Sequence, residues 1–163
     1  MGTVSFDFKG EVVIVTGGSR GLGLEIAHAF GHAGAQVVIT ARREQWLTEA
    51  EKFLKDRAIS VYVMTCDVAD ASSVEQTVER ISEKCGKIDV LVNNAGLTWG
   101  APAESMPFDR WRQVIDANIT GTLFLSRHKL LATNRPSHLA SNHVSPIAVD
   151  LGSTRNGQMV HYC

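Results

Sequence analysis

Thr16-Gly17-Gly18-Ser19-Arg20-Gly21-Leu22-Gly23 follows directly on the apolar run Val12-Val13-Ile14-Val15 and leads into a helical pattern from Leu24 to Ala33. A glycine-rich turn between a buried strand and a helix can wrap a phosphate, because the helix start offers unpaired N–H groups and a partial positive charge. Gly17 permits the tight turn, Gly21 lets the backbone approach a pyrophosphate, and Gly23 lets the helix sit close to the strand. Ser19, Arg20 and Leu22 lie in the same loop. A glycine triad alone also fits a plain tight turn; the flanking strand and helix are what point to a dinucleotide.

A second cluster sharpens the expected ligand. Where an NAD-selective site places an acidic residue for the ribose 2′-hydroxyl, this chain has Thr40-Ala41-Arg42-Arg43. An aspartate there would repel a 2′-phosphate, whereas Arg42 and Arg43, with Arg20, can clamp it through charge-assisted bidentate hydrogen bonds. The pattern favours NADP over NAD. The same arginines also read as ordinary solvated charges at the start of a helix.

The elements that must position these residues alternate regularly. Nearly continuous apolar runs predict strands at Val12 to Thr16, Gln36 to Thr40, Ser60 to Thr65 and Asp89 to Asn93, as expected of strands covered on both faces. Between them, Leu22, Ile26, Ala29, Phe30 and Ala33 line one helical face, Leu47, Ala50 and Leu54 a second, and Val74, Val78, Ile81 and Cys85 a third. Gly34 and Gly86 fall where the first and third helices should stop. Such alternation means right-handed βαβ crossovers and a parallel sheet. After the loop Ala95 to Pro107, a long helix is predicted over roughly Phe108 to Leu131, with Trp111, Val114, Ile115, Asn118, Ile119, Thr122 and Leu123 on its inner face. Gly121 within it either admits a close neighbour or weakens the helix.

Composition narrows the function classes. The chain has 163 residues, 44% hydrophobic and 20% charged, which fits one compact soluble domain. Its net charge is −1 with the charges interspersed, which recommends neither nucleic acid nor an anionic membrane surface. Met1 to Gly10 has no apolar signal core, and no run reaches the ~20 apolar residues of a spanning helix, so a cytoplasmic location is expected. Cys66, Cys85 and Cys163 are odd in number and scattered, reading as free thiols, the first two as core filler. His138, His143 and His161 have no metal-ligand spacing, and no metal is expected.

Four ordered motifs carry a resemblance: Thr16-Gly-x-x-x-Gly-x-Gly23, Cys66-Asp67-Val68 after the third strand, Asn93-Asn94-Ala95-Gly96 after the fourth, and Asp116-Ala117-Asn118. Over roughly Phe8 to Arg127 the chain resembles the short-chain dehydrogenase/reductase family of single-domain Rossmann enzymes. Thr98-Trp99-Gly100-Ala101-Pro102 is similar to members that reduce sugar ketones or 3-oxoacyl thioesters. The resemblance implies that Asp67 accepts a hydrogen bond from the adenine amino group while the Val68 amide donates to the ring. Asp67 equally fits a helix N-cap ahead of Ala71. It assigns Asn93, Asn94, Ala95 and Gly96 to the sheet end and the nicotinamide ribose, positions that also suit an irregular turn. Asn118 would hold a water in the proton relay to a catalytic lysine. As a buried amide it could instead be a satisfied structural group, since an unpaired one costs roughly 1 to 3 kcal/mol.

The rest of the family's catalytic set is not found. Carbonyl reduction there needs a tyrosine, a lysine four residues on and a serine, because a tyrosine without a nearby cation is a poor acid–base group at neutral pH. Tyr62 is followed at the fourth place by Cys66, and Tyr162 is the penultimate residue. Ser145 lacks an apolar run before it and reads as a loop serine. Pro146 to Leu151 fits a short strand as well as a loop. The pattern therefore predicts that after about Arg127 or Leu131 the chain departs from the family, through truncation, a frameshift or an alternative exon.

The expected architecture is a Rossmann-like α/β domain, a doubly wound parallel sheet of order 3-2-1-4 with an incomplete second half. Residues 1–131 form the dinucleotide-binding portion and 132–163 an irregular tail. Ile88 to Val92 would leave an apolar sheet edge unless Ile147 to Leu151 or a partner pairs with it. Two functions fit: an NADP-dependent oxidoreductase acting on a small carbonyl or alcohol, or a catalytically empty nucleotide-binding module that pairs with full-length relatives or itself through the helix 108–131.

Overall fold

In a computed structural model, which describes residues 6–132, four strands alternate with helices: β1 (Val12–Thr16), α1 (Gly21–His32), β2 (Gln36–Ala41), α2 (Glu44–Lys55), β3 (Val61–Thr65), α3 (Ala71–Cys85) and β4 (Val90–Val92). A short 3₁₀ turn, Ala103–Ser105, precedes α4 (Phe108–Ile115), a π-helical segment (Asp116–Thr120) and α5 (Gly121–Ala132). All strand pairs are parallel, in the order β3-β2-β1-β4, as the alternation predicts. The register sets Thr16 beside Thr40 and Val15 beside Val92, bringing the carboxyl ends of β1, β2 and β4 to one rim.

Every residue of β1 is buried because successive side chains serve opposite cores. Val12 and Ile14 pack with Val38, Leu91, Val74, Val78 and Ile81 on the side of α3, where Leu125 of α5 joins them. Val13 and Val15 pack with Val37, Ile39, Ala27, Leu47, Ala50 and Leu54 on the side of α1 and α2. Asp70 caps α3 by accepting from the Ser72 N–H, and Gly86 ends it in the left-handed conformation, φ 76°. At the amino end of the sheet the Asp89 carboxylate accepts the Val12 N–H (2.8 Å) and pairs with Lys87 (2.7 Å). Burial pushes the Asp89 carboxyl up, but the Lys87 ammonium and the Val12 N–H outweigh it and hold the group below its usual range.

Four expectations are corrected. On the first helix Leu22 and Ala29, expected on the inner face, are exposed and Gly23 and Ala27 are buried instead, because the helix meets β1 on the side of Gly23, which has no side chain. The first helix begins at Gly21 rather than Leu24, so the last glycines of the turn are already helical. The fourth strand is only Val90–Val92, its neighbours being drawn into contacts at either end. The helix after the loop is not one α-helix: the π segment interrupts it, and the wider turn rotates the residues beyond it. Val114, Ala117, Asn118 and Leu125 are buried, whereas Trp111, Ile119 and Leu123, expected on the inner face, are 40, 47 and 63% exposed. Gly121 sits inward because a Cβ there would lie 2.7 Å from the Val68 carbonyl oxygen, so it admits a close neighbour.

Among the described residues β4 pairs with β1 alone, and no helix is long and apolar enough to cross a membrane. Ser145, His138, His143, His161, Tyr162, Cys163, the Pro146–Leu151 segment and residues 133–163 as a whole lie outside the described residues.

Candidate functional site

The glycine turn leaves β1 at the rim of the sheet. Gly17 has φ +64°, and a Cβ on it would come 3.0 Å from the Ala95 Cα. A Cβ on Gly23 would collide with the Asn94 Nδ2 and the Gly17 carbonyl, so α1 reaches β1 only because this residue has no side chain. Between them Gly18 donates its N–H to the Thr40 carbonyl oxygen at 3.1 Å, which ties the turn to β2. Ser19 is buried, while Arg20, Gly21 and Leu22 are exposed. Arg20 occupies the N-cap of α1 in extended conformation, its own side chain does not cap the helix and no acid stands in the first turn. That helix end is therefore free to receive an anion.

The loop after β4 holds this turn from the other side. Asn94 donates from Nδ2 to the Thr16 carbonyl (2.9 Å) and the Gly17 carbonyl (3.3 Å). The Thr16 hydroxyl accepts the Asn94 and Ala95 N–H groups, each at 3.0 Å, and donates to the Val92 carbonyl at 3.3 Å. Thr16 was not among the sequence candidates; its signal is a buried hydroxyl at the end of an otherwise apolar strand. Asn93 turns away and donates to the Ser126 hydroxyl of α5 at 3.2 Å.

Asn118, in the π segment, is engaged at both ends of its carboxamide. Its Oδ1 accepts the Leu97 N–H at 2.8 Å and its Nδ2 donates to the Leu97 carbonyl at 3.0 Å. Gly96 passes beside it, where a Cβ would lie 3.1 Å from Oδ1. The asparagine thus clamps the loop that runs from Asn94 towards the 3₁₀ turn.

Beyond β3, the Asp67 N–H donates to the Ser73 hydroxyl and the Asp67 Oδ1 accepts the Ala69 N–H, both at 3.0 Å. The N-cap alternative for Asp67 is corrected: Asp70 caps α3, at 2.9 Å from the Ser72 nitrogen, because it is the residue immediately before the helix. Val68 is buried against Gly121. Cys66 and Cys85 are free. Burial pushes both thiols up, which suits core filler rather than a nucleophile.

Arg20 and Arg43 meet at the start of α2. The guanidinium carbons of Arg20 and Arg43 lie 4.0 and 4.3 Å from the centroid of one indole, that of Trp46. Arg42 is exposed. None of the three takes part in an ion pair among the described residues. Close by, the Thr40 hydroxyl is buried without a hydrogen-bond partner among the described residues. Free N–H groups at α1, unpaired guanidinium groups, glycines with no room for a side chain and an orphaned rim hydroxyl are a donor-rich set suited to a dinucleotide. A separate polar cavity of about 230 Å³ beside α3, lined by Met64, Asp70, Ser72, Gln76 and Arg80 among others, shares no residue with this rim.

The model of the short chain dehydrogenase family matches residues 11–138. An uncharacterized oxidoreductase of Thermotoga maritima is 38% identical over 120 residues, 74% of this chain and 47% of the relative. A putative ketoacyl reductase of Streptomyces coelicolor is 36% identical over 122 residues, 75% of this chain and 47% of the relative. The crystal structure of an actinorhodin polyketide ketoreductase variant with NADPH superposes with a TM-score of 0.74 at 36% identity, covering 75% of this chain and 47% of that one. The chain spans about half the length of the curated relatives it matches.

Proposed function

This chain belongs to the short-chain dehydrogenase family, whose members use NAD or NADP, and on that premise we propose that it binds NADP in preference to NAD at the rim of its sheet. The observation that carries the reading is that Arg20, at the N-cap of α1, and Arg43 meet over Trp46 with no ion-pair partner among the described residues, next in sequence to the exposed Arg42. The first-turn N–H groups of α1 would take the pyrophosphate, the arginines the 2′-phosphate, and Asp67 with Val68 the adenine. Asn94, Ala95 and Gly96 would face the nicotinamide ribose. When bound, the cofactor supplies or accepts a hydride. Arg42→Asp tests the selectivity: it should reverse the preference towards NAD, and an unchanged preference contradicts the arginine clamp.

We further propose that this 163-residue chain binds the cofactor without turning over a carbonyl. Its sequence contains no Tyr-x-x-x-Lys. Tyr62 stands in β3, level with Val38 and Ile14 in the middle of the sheet, where the Lys84 ammonium lies 3.9 Å from its ring centroid. Asn118 is spent on the Leu97 backbone and cannot supply the missing acid. The competing reading, an active NADP-dependent oxidoreductase on a carbonyl or hydroxyl carbon, draws on relatives named as ketoacyl and polyketide ketoreductases. A panel of ketones with NADPH separates the two: no cofactor oxidation is expected, and oxidation above the enzyme-free rate selects the competing reading. The exposed Phe108, Trp111, Ile119 and Leu123 support self-association through the α4–α5 run, which light scattering on the purified chain would reveal as a dimer.

A further inference from the structure

Trp46 has no part in the reading of the glycine turn, yet it is where two of the three arginines meet. Arg20 precedes α1 and Arg43 precedes α2, so they belong to different crossovers of the fold. Each sits at a helix N-cap without capping it by its side chain. Both guanidinium groups instead lie over the indole of Trp46, third residue of α2, at 4.0 and 4.3 Å. The core stripe of α2, Leu47, Ala50 and Leu54, is complete without that indole, which stays half-buried. Two like charges beside one ring repel each other, and the negative face of the ring offsets part of that repulsion. The arrangement has a surplus of positive charge, and among the described residues no carboxylate forms an ion pair with either guanidinium group. A phosphate group is its natural complement.

We propose that Trp46 is a positioning residue for the 2′-phosphate: its indole holds the Arg20 and Arg43 guanidinium groups together, so that both charges are in place before the ligand arrives. An arginine free in solvent loses its rotamer freedom when it clamps a phosphate, whereas one already resting on a ring has lost much of it beforehand. The ring also joins the glycine turn to the start of α2, so the two walls of the phosphate site move as one. This inference rests on the NADP reading of the same rim. It adds that selectivity is set by an uncharged residue that would touch neither ribose nor phosphate.

Titration calorimetry on the full chain tests it, with NADP⁺ and NAD⁺ as probes and with Trp46→Leu and Trp46→Phe as variants. Trp46→Leu should weaken NADP⁺ binding about tenfold, the loss expected of two such contacts, and leave NAD⁺ binding within about twofold. Trp46→Phe, which keeps an aromatic face, should recover most of the loss. Equal weakening of both cofactors, or no weakening of NADP⁺, overturns the proposal while leaving the NADP reading intact. A parent chain without preference for NADP⁺ overturns that reading, and the proposal with it. Should Trp46→Leu fail to fold, a chain carrying Trp99→Phe and Trp111→Phe decides the matter, since Trp46 is then its only indole. Adenosine 2′,5′-bisphosphate should change its emission and adenosine 5′-monophosphate should not; equal responses overturn the proposal.

Discussion

The turn after β1 and the loop after β4 lie side by side at the same rim, yet they are held by different means. The turn is shaped mainly by backbone, through a left-handed Gly17, a Gly23 with no space for a side chain and the Gly18 N–H on Thr40, with the Asn94 carboxamide added on the Thr16 and Gly17 carbonyls. The loop is held by side chains from far along the sequence, the Thr16 hydroxyl on the Asn94 and Ala95 amides and the Asn118 carboxamide on Leu97. Backbone rules are local and can be read from a short stretch. Side-chain clamps depend on which elements meet, and that is settled only by the fold.

Breaking the turn should have the largest effect. Gly23→Ala forces a methyl group onto Asn94 and the Gly17 carbonyl, and a loss of about 3 kcal/mol is expected, at the upper end for overpacking. Chemical denaturation measures it, and NADPH should no longer raise the melting temperature. Asn118→Ala breaks the loop instead, leaving the Leu97 N–H and carbonyl without their partner, for about 2 kcal/mol. If the clamp serves the loop alone, binding of adenosine 2′,5′-bisphosphate, which lacks the nicotinamide half, should survive this substitution.

Thr16→Val probes the link between the two regions. It keeps the shape of the buried side chain but removes an acceptor shared by two amides, so a loss of about 1 to 2 kcal/mol is expected by denaturant unfolding. The smallest effect should come from the opposite end of the sheet. Asp89 has its carboxyl held below the ordinary 3.8, so its contribution is fully present above that value and is lost as the pH falls through the lowered one. Melting temperatures between pH 5 and pH 2 should therefore fall less steeply for Asp89→Asn than for the parent, with NADPH binding at neutral pH unchanged.

The same division explains what was legible in the sequence. Four strands, the helical stripes of α2 and α3 and the strand order follow from β-branched runs and three-to-four spacing, because β1 and β2 are buried on both faces and α2 and α3 each bury one stripe. On α1, Gly23 and Ala27 are buried in place of Leu22 and Ala29 of the expected stripe. The glycine turn was legible for the same local reason. The inner face of the helix after the loop was not: a period of 3.6 extrapolated through Asp116–Thr120 puts Ile119 and Leu123 inside, and the π segment turns them out. Asp70 displaced Asp67 as the cap because only one residue can stand immediately before a helix, and two aspartates three apart offered a choice. Thr16 and Trp46 were missed because their partners come from other elements, 76 to 79 residues away for the hydroxyl and from the α1 N-cap for the indole.

The central claim is that the rim built from the glycine turn and the arginines accepts a 2′-phosphorylated dinucleotide. It is tested most directly by the melting temperature of the full chain titrated with NADPH and, separately, with NADH. A ligand that binds only the folded state raises that temperature in proportion to the logarithm of its excess over Kd. The arginine rim predicts a rise with NADPH at concentrations where NADH gives a clearly smaller one. Equal shifts with both cofactors, or no shift with either, would contradict it.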